Sequence, residues 1–208
     1  MRTRSRLTAV VLFDEVDLLD FAGPLQVLTL AGKRYNWRPF KVATVAVESG
    51  RVRTRNQLVV LADLSIRECQ GTEILLVPGG YGARRALESS ELIQWIRRES
   101  EKAELVGAVG YGSLLLAKAG VLDGLEVAIP GDIGEAFAEL APSARPLADR
   151  SLLDAGRVVT AKSSAGGLDL GLWLVARTLG DKIARQVGDE LGHVWSAAVT
   201  EVPRIHIR

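Results

Sequence analysis

The sequence predicts an α/β fold: a three-layer sandwich in which helices cover both faces of a mostly parallel central sheet. Three observations lead there. Apolar runs of strand length recur at Leu7 to Phe13, Glu73 to Val77 and Leu105 to Val109. Each is followed by a charged or glycine-rich turn and then by apolar residues at helical spacing. Repeated strand-turn-helix units of this kind imply parallel strands buried on both faces.

The elements follow in order. Leu7 to Phe13 ends in a charged turn, and Leu19 to Gly32 carries apolar residues at helical spacing until Gly32 and Lys33 stop it. Phe40 to Val47 alternates as a strand does, and Val52 to Leu61 reads as a short hairpin arm around Gly50. Glu73 to Val77 ends in Pro78-Gly79-Gly80, and Ser90 to Lys102 is the next helix. Leu105 to Val109 runs into Gly110-Tyr111-Gly112, after which Ser113 to Ala119 is helical and Gly120 caps it. Glu126 to Ile129 is a short strand, Asp132 to Leu140 a short helix with Asp132 as its N-cap, and Pro142 to Pro146 a loop. Arg157 to Thr160 gives one more strand. Ser163 or Ser164 then caps a helix, Ala165 to Leu179, that buries Leu168, Leu172, Val175 and Leu179, and Asp181 to about Leu191 closes the series.

At about 100 to 200 residues per domain, 208 residues with 48% apolar content make one domain over 1–208. Lys plus Arg is 26 against 25 for Asp plus Glu, a net charge of +1, so no excess of charge marks a nucleic-acid or membrane surface. The apolar run after Arg2, Arg4 and Arg6 breaks at Asp14 with no small-residue cleavage site, and no stretch reaches the length of a transmembrane helix. A cytoplasmic protein is expected. One cysteine, Cys69, and two histidines, His193 and His206, make no Cys/His metal set, so neither a metal nor a cofactor is expected.

In a sheet of this kind ligands bind outside the carboxyl ends of the strands. Those ends are Asp14 to Asp20, Pro78 to Gly82, Gly110 to Ser113 and Pro130 to Asp132. The glycines Gly79, Gly80, Gly110 and Gly112 either make turns or leave amides open for an anion.

Four segments carry a resemblance to a known family. LFDEVDLLDFAGPLQVL (residues 12–28), ILLVPGGYGARRAL (74–87), GSLLLAKAGVLDG (112–124) and GRVVTAKSSAGGLDLGLWLVARTLG (156–180) stand in the order and spacing of the ThiJ/PfpI superfamily. The resemblance falls within the class I glutamine-amidotransferase-like fold and is nearest its isonitrile hydratase branch. It implies a flavodoxin-like sandwich and a homodimer with the first helix and its neighbours at the contact. The tail from Asp181 departs from the pattern.

The departures matter for function. By register, the family's reactive cysteine falls on Gly110, the following threonine on Tyr111, and the histidine after the next strand on Pro130. The family's pocket acid falls on Asp20. Read without the resemblance, Asp20 is either a helix N-terminal carboxylate or, beside Leu18, Leu19 and Phe21, an acid or base of raised pKa. Cys69 precedes its strand while Gly79 and Gly80 follow it, which puts the thiol near the opposite edge of the sheet. His193 and His206 lie off the carboxyl edge, Asp169 reads as structural, and Trp173 and Trp195 read as core or interface.

Two functions of different classes follow for a small-molecule ligand. The first is a hydratase, dehydratase, lyase or isomerase with Asp20 as acid or base and an oxyanion pocket at Gly79, Gly80, Tyr81, Gly110 and Tyr111. The second is a catalytically silent sensor resembling the N-terminal domain of AraC-type regulators. The intact LDFAGP motif favours the first.

Overall fold

A computed structural model describes residues 5–36, 39–147 and 149–195. The chain opens with β1 (Arg6–Val11), α1 (Leu18–Lys33), β2 (Phe40–Ala46), the hairpin arms β3 (Gly50–Arg53) and β4 (Val59–Ala62), the short β5 (Leu64–Ser65) and β6 (Ile74–Val77). Next come α2 (Ala83–Ala86), α3 (Ser90–Lys102), β7 (Leu105–Val109), α4 (Gly112–Lys118) and β8 (Glu126–Val127). A 3-10 turn (Gly131–Ile133) leads into α5 (Gly134–Leu140), followed by β9 (Arg145–Pro146), β10 (Leu152–Asp154), β11 (Val158–Ala161), α6 (Gly166–Leu179) and α7 (Asp181–Leu191).

Among the described residues the central sheet has seven strands in the order β10-β11-β7-β6-β1-β2-β5. Every neighbouring pair is parallel except β10 with β11. The three apolar runs of the sequence therefore lie side by side at its centre as β1, β6 and β7. Every residue of β6 and β7 is buried, and strands apolar on both faces need cover on both. Helices α1, α6 and α7 pack together as one layer, and α2, α3, α4 and α5 as the other. Helix α3 illustrates the local logic: Ser89 Oγ accepts the Leu92 N–H at 3.3 Å as an N-cap, and Leu92, Ile93, Trp95 and Ile96 form its buried stripe. Among the described residues, no helix is long and apolar enough to cross a membrane.

The structure corrects the sequence reading where long-range partners outweigh local pattern. The hairpin does not turn at Gly50, which begins β3; it turns where Thr54 N–H meets Leu58 C=O at 2.8 Å, with Gln57 at φ +65°. The expected strand Glu126 to Ile129 shrinks to two residues because the Ala128 N–H donates instead to Thr160 Oγ1. The stretch Pro142 to Pro146 is not all loop: it contains β9, which pairs in parallel with β8. Neither Ser163 nor Ser164 caps α6 through its side chain; the N-cap is Ala165. Asp132 does not cap a helix either, since it lies inside the 3-10 turn and accepts the Tyr111 hydroxyl hydrogen. Leu172 and Val175 are buried as expected, while Leu168 and Leu179 are only partly covered. Elements of two to four residues such as β5, α2 and β10 have no periodicity for a sequence to display.

Candidate functional site

Backbone hydrogen bonds stitch the loop after β1 to the loop after β6, and the end of β7 to β11. The Asp17 N–H donates to Gly79 C=O at 3.0 Å, Gly82 N–H to Glu15 C=O at 3.3 Å, and Gly110 N–H to Ala161 C=O at 2.8 Å. The fourth expected turn joins through the Tyr111 hydroxyl, which donates to Asp132 Oδ2. The loops approach so closely that a Cβ on Gly79 would stand 2.6 Å from Tyr111 N and 2.7 Å from Asp20 Oδ2. Gly110 turns the chain from β7 into α4 at φ +54°, a left-handed conformation that side chains disfavour by about 1 to 2 kcal/mol.

Asp20 sits in the first turn of α1 and is 3% exposed. It does not cap its own helix. Oδ2 accepts the Gly79 N–H at 3.0 Å, tying α1 to the loop after β6, while the buried Oδ1 has no hydrogen-bond partner among the described residues. Burial pushes the carboxyl above its ordinary range; the Ser164 hydroxyl and the Gly79 amide pull it back, and the charge on Asp17 adds to the rise.

The glycine-loop amides divide. Those of Gly79 and Gly110 are engaged, by Asp20 and by Ala161. The N–H groups of Gly80, Tyr81 and Tyr111 donate to no other described residue. Of the five residues expected to line an oxyanion pocket, three therefore retain free donors.

Above this floor stands an aromatic and cationic rim. Tyr81 is 57% exposed, and its ring centroid lies 6.4 Å from that of Tyr111 at a 35° tilt. The Arg55 guanidinium stacks 4.6 Å above the Tyr81 ring and lies 3.5 Å from Asp17. The Arg84 guanidinium lies 5.8 Å from the Tyr111 ring. The Tyr111 phenol is raised above its ordinary range chiefly because it donates to the Asp132 carboxylate, with Arg84 opposing. Sequence reasoning missed Arg55, Arg84 and the role of Ser164. Arg55 comes from the hairpin and Arg84 from a four-residue helix, so no local signal marks either.

The other candidates stand apart. Cys69 is buried beneath α3, with its C=O accepting Trp95 Nε1–H at 3.0 Å, and burial pushes its thiol up. Ellman's reagent is therefore expected to detect no thiol in the native protein and one after denaturation, and Cys69→Ser to leave ligand binding unchanged. A native thiol reacting within seconds would contradict this placement. His193 follows α7 past Gly192 and pairs with Asp169, Nε2 to Oδ1 at 2.7 Å; His206 lies outside the described residues. Trp173 and Trp195 are buried and bond Asp154 and Asp181. No group of three His, Cys, Asp or Glu side chains among the described residues is placed to hold a metal.

Known proteins share this architecture. The chain is 26% identical over 173 residues to the HTH-type transcriptional regulator CdhR of Pseudomonas aeruginosa, covering 83% of this chain but 51% of the regulator, so it spans about half the length of that relative. It is 28% identical over 179 residues to the isonitrile hydratase of Pseudomonas putida, covering 85% of this chain and 74% of that enzyme. The crystal structure of a ThiJ/PfpI family protein from Pseudomonas syringae superposes with a TM-score of 0.81 at 21% identity, over 90% of this chain and 75% of that one. The model of the DJ-1/PfpI family matches residues 7–177, and the chain belongs to that family.

Proposed function

We propose that this protein acts on a small molecule without covalent capture, by acid–base chemistry of the hydratase, dehydratase, lyase or isomerase type. Asp20 moves the proton, and the Gly80 and Tyr111 amides receive developing negative charge. One observation carries the reading: a buried carboxyl with one unpartnered oxygen adjoins Gly110, the position that the resemblance gives to the family's cysteine. A Cβ there would stand 3.3 Å from Asp20 Oδ2, so glycine leaves room for a ligand atom where a thiol would otherwise sit. Because Oδ2 accepts from Gly79, the proton of the neutral carboxyl belongs on Oδ1. Neutral, the group is a donor; ionised, it is a base.

The test is turnover of isonitriles, small aldehydes and short hydroxy acids, followed by NMR, by the wild type and by Asp20→Asn. Conversion that needs Asp20 supports the reading. Ligands that bind the wild type and are never converted overturn it in favour of the second reading, a silent ligand sensor, which is favoured by similarity to a transcriptional regulator.

Two further expectations belong here. Gly110→Cys restores a side chain beside Asp20, and its thiol should be alkylated by iodoacetamide while Cys69 is not; an inert thiol at that position in a folded protein would deny the elbow its family role. The outer side of α1 carries Leu18, Ala22 and Leu25, which are partly buried, and Leu19, which is 49% exposed. Light scattering should give about twice the 22.4 kDa chain mass, and a monomer at micromolar concentration would overturn assembly through this face.

A further inference from the structure

We infer that the ligand of this site is a small carboxylate whose anionic group is taken by the Arg84 guanidinium, an inference that rests on the ligand-binding reading above. Hydrogen-bonding capacity at the mouth of the site is lopsided. Five of the loop carbonyls are engaged: Gly79 C=O takes Asp17 N–H, Gly80 C=O takes Ala83 N–H, Gly110 C=O takes Ser113 N–H and hydroxyl, Tyr111 C=O takes Leu114 N–H, and Glu15 C=O takes Gly82 N–H. The carboxylates of the rim are engaged too. Asp17 lies 3.5 Å from Arg55, Glu15 pairs with Arg85 at 2.6 Å, and Asp132 accepts from Tyr111.

Donors remain as well. The Gly80 and Tyr111 amides are free, and Arg84, unlike Arg55 and Arg85, has no carboxylate within 4.0 Å among the described residues. Arg84 also lies against the ring of Tyr111, the residue next to Gly110. A ligand entering here meets the free amides and the unpaired Arg84 cation beside the Asp20 carboxyl, so it is best matched by a group that brings acceptors and negative charge. The planar guanidinium fork matches a carboxylate in two parallel hydrogen bonds. One unpaired cation balances one negative charge, which suits a monocarboxylate better than a phosphate dianion. A cationic ligand has no place, because the Tyr81 and Tyr111 rings already carry Arg55 and Arg84.

The experiment measures affinity for matched acids and amides (crotonate and crotonamide, lactate and lactamide, benzoate and benzamide) by calorimetry at low ionic strength. In the wild type the best acid should bind about tenfold more tightly than its amide, the worth of one charge-assisted hydrogen bond. Arg84→Gln should bring that ratio close to one, and Arg84→Lys should restore part of it. Arg85→Gln, on the same helix turn but paired with Glu15, should leave it unchanged. Equal binding of acids and amides by the wild type, no acid binding at millimolar concentration, or a ratio indifferent to Arg84→Gln overturns the inference. Arg84 is exposed, so the fold is not at stake. Failure here with Asp20-dependent turnover intact removes only the carboxylate. Arg84-dependent acid binding without turnover removes only the acid–base chemistry.

Discussion

Asp20→Asn is expected to lower turnover by about 10²- to 10⁴-fold, the usual worth of a positioned acid or base, while ligand affinity changes little. Asparagine keeps an oxygen to accept the Gly79 N–H, so the tie between α1 and the loop after β6 survives. The proton-transfer function does not. The same variant carries a stability signature. In the folded chain the Asp20 carboxyl holds its proton more tightly than at the ordinary value of 3.8. The folded state then binds more protons than the unfolded one, and stability falls as pH rises from 3.8 to the raised folded value. Asparagine never ionises, so the melting temperature of the variant should gain on the wild type as pH is raised from about 4 to 7. Thermal melts across that range check the sign; a wild type that gains on the variant instead would mean that the buried carboxylate is stabilised as an anion. Wild-type turnover in a folded Asp20→Asn would end the acid–base mechanism.

The second large effect concerns packing at Gly112, where α4 leaves the elbow. A methyl group there would overlap the Val77 carbonyl oxygen and stand 2.7 Å from that of Pro78. Both are backbone atoms, Val77 in the parallel ladder with β7 and Pro78 directly after it, so no flexible side chain can yield. Gly112→Ala should lose about 3 kcal/mol, which at about 2 to 4 °C per kcal/mol lowers the melting temperature by about 6 to 12 °C. Gly134→Ala is the control: nothing lies within 4 Å of its added carbon and α5 begins there. It should be neutral or stabilising by up to about 1 kcal/mol. A Gly112→Ala protein as stable as the wild type would show that the two loops are not so closely apposed.

How much of this was legible beforehand divides along a physical line. The sequence by itself determined the α/β class, the central strands β1, β6 and β7, and the helices α1, α3, α6 and α7. Each is written in a contiguous apolar run or a helical stripe, a property that a few turns of chain carry alone. It also placed the glycine turns at one edge of the sheet, because in a parallel sheet the strand ends are where loops converge; Asp20 was singled out by the resemblance of its LDFAGP segment to the family pattern. Only the tertiary structure decided which groups meet. Asp20 takes an amide from a glycine 59 residues away, Tyr111 finds Asp132 across 21, and Arg55 and Arg84 arrive at one rim from a hairpin and a four-residue helix. Tertiary contact also cut the strand at Glu126 short and left α6 without its serine cap. Hydrogen bonds between distant residues depend on how layers stack, and local periodicity carries no record of that stacking; the free donors of Gly80, Tyr111 and Arg84 emerge only when the loops around them have been brought together.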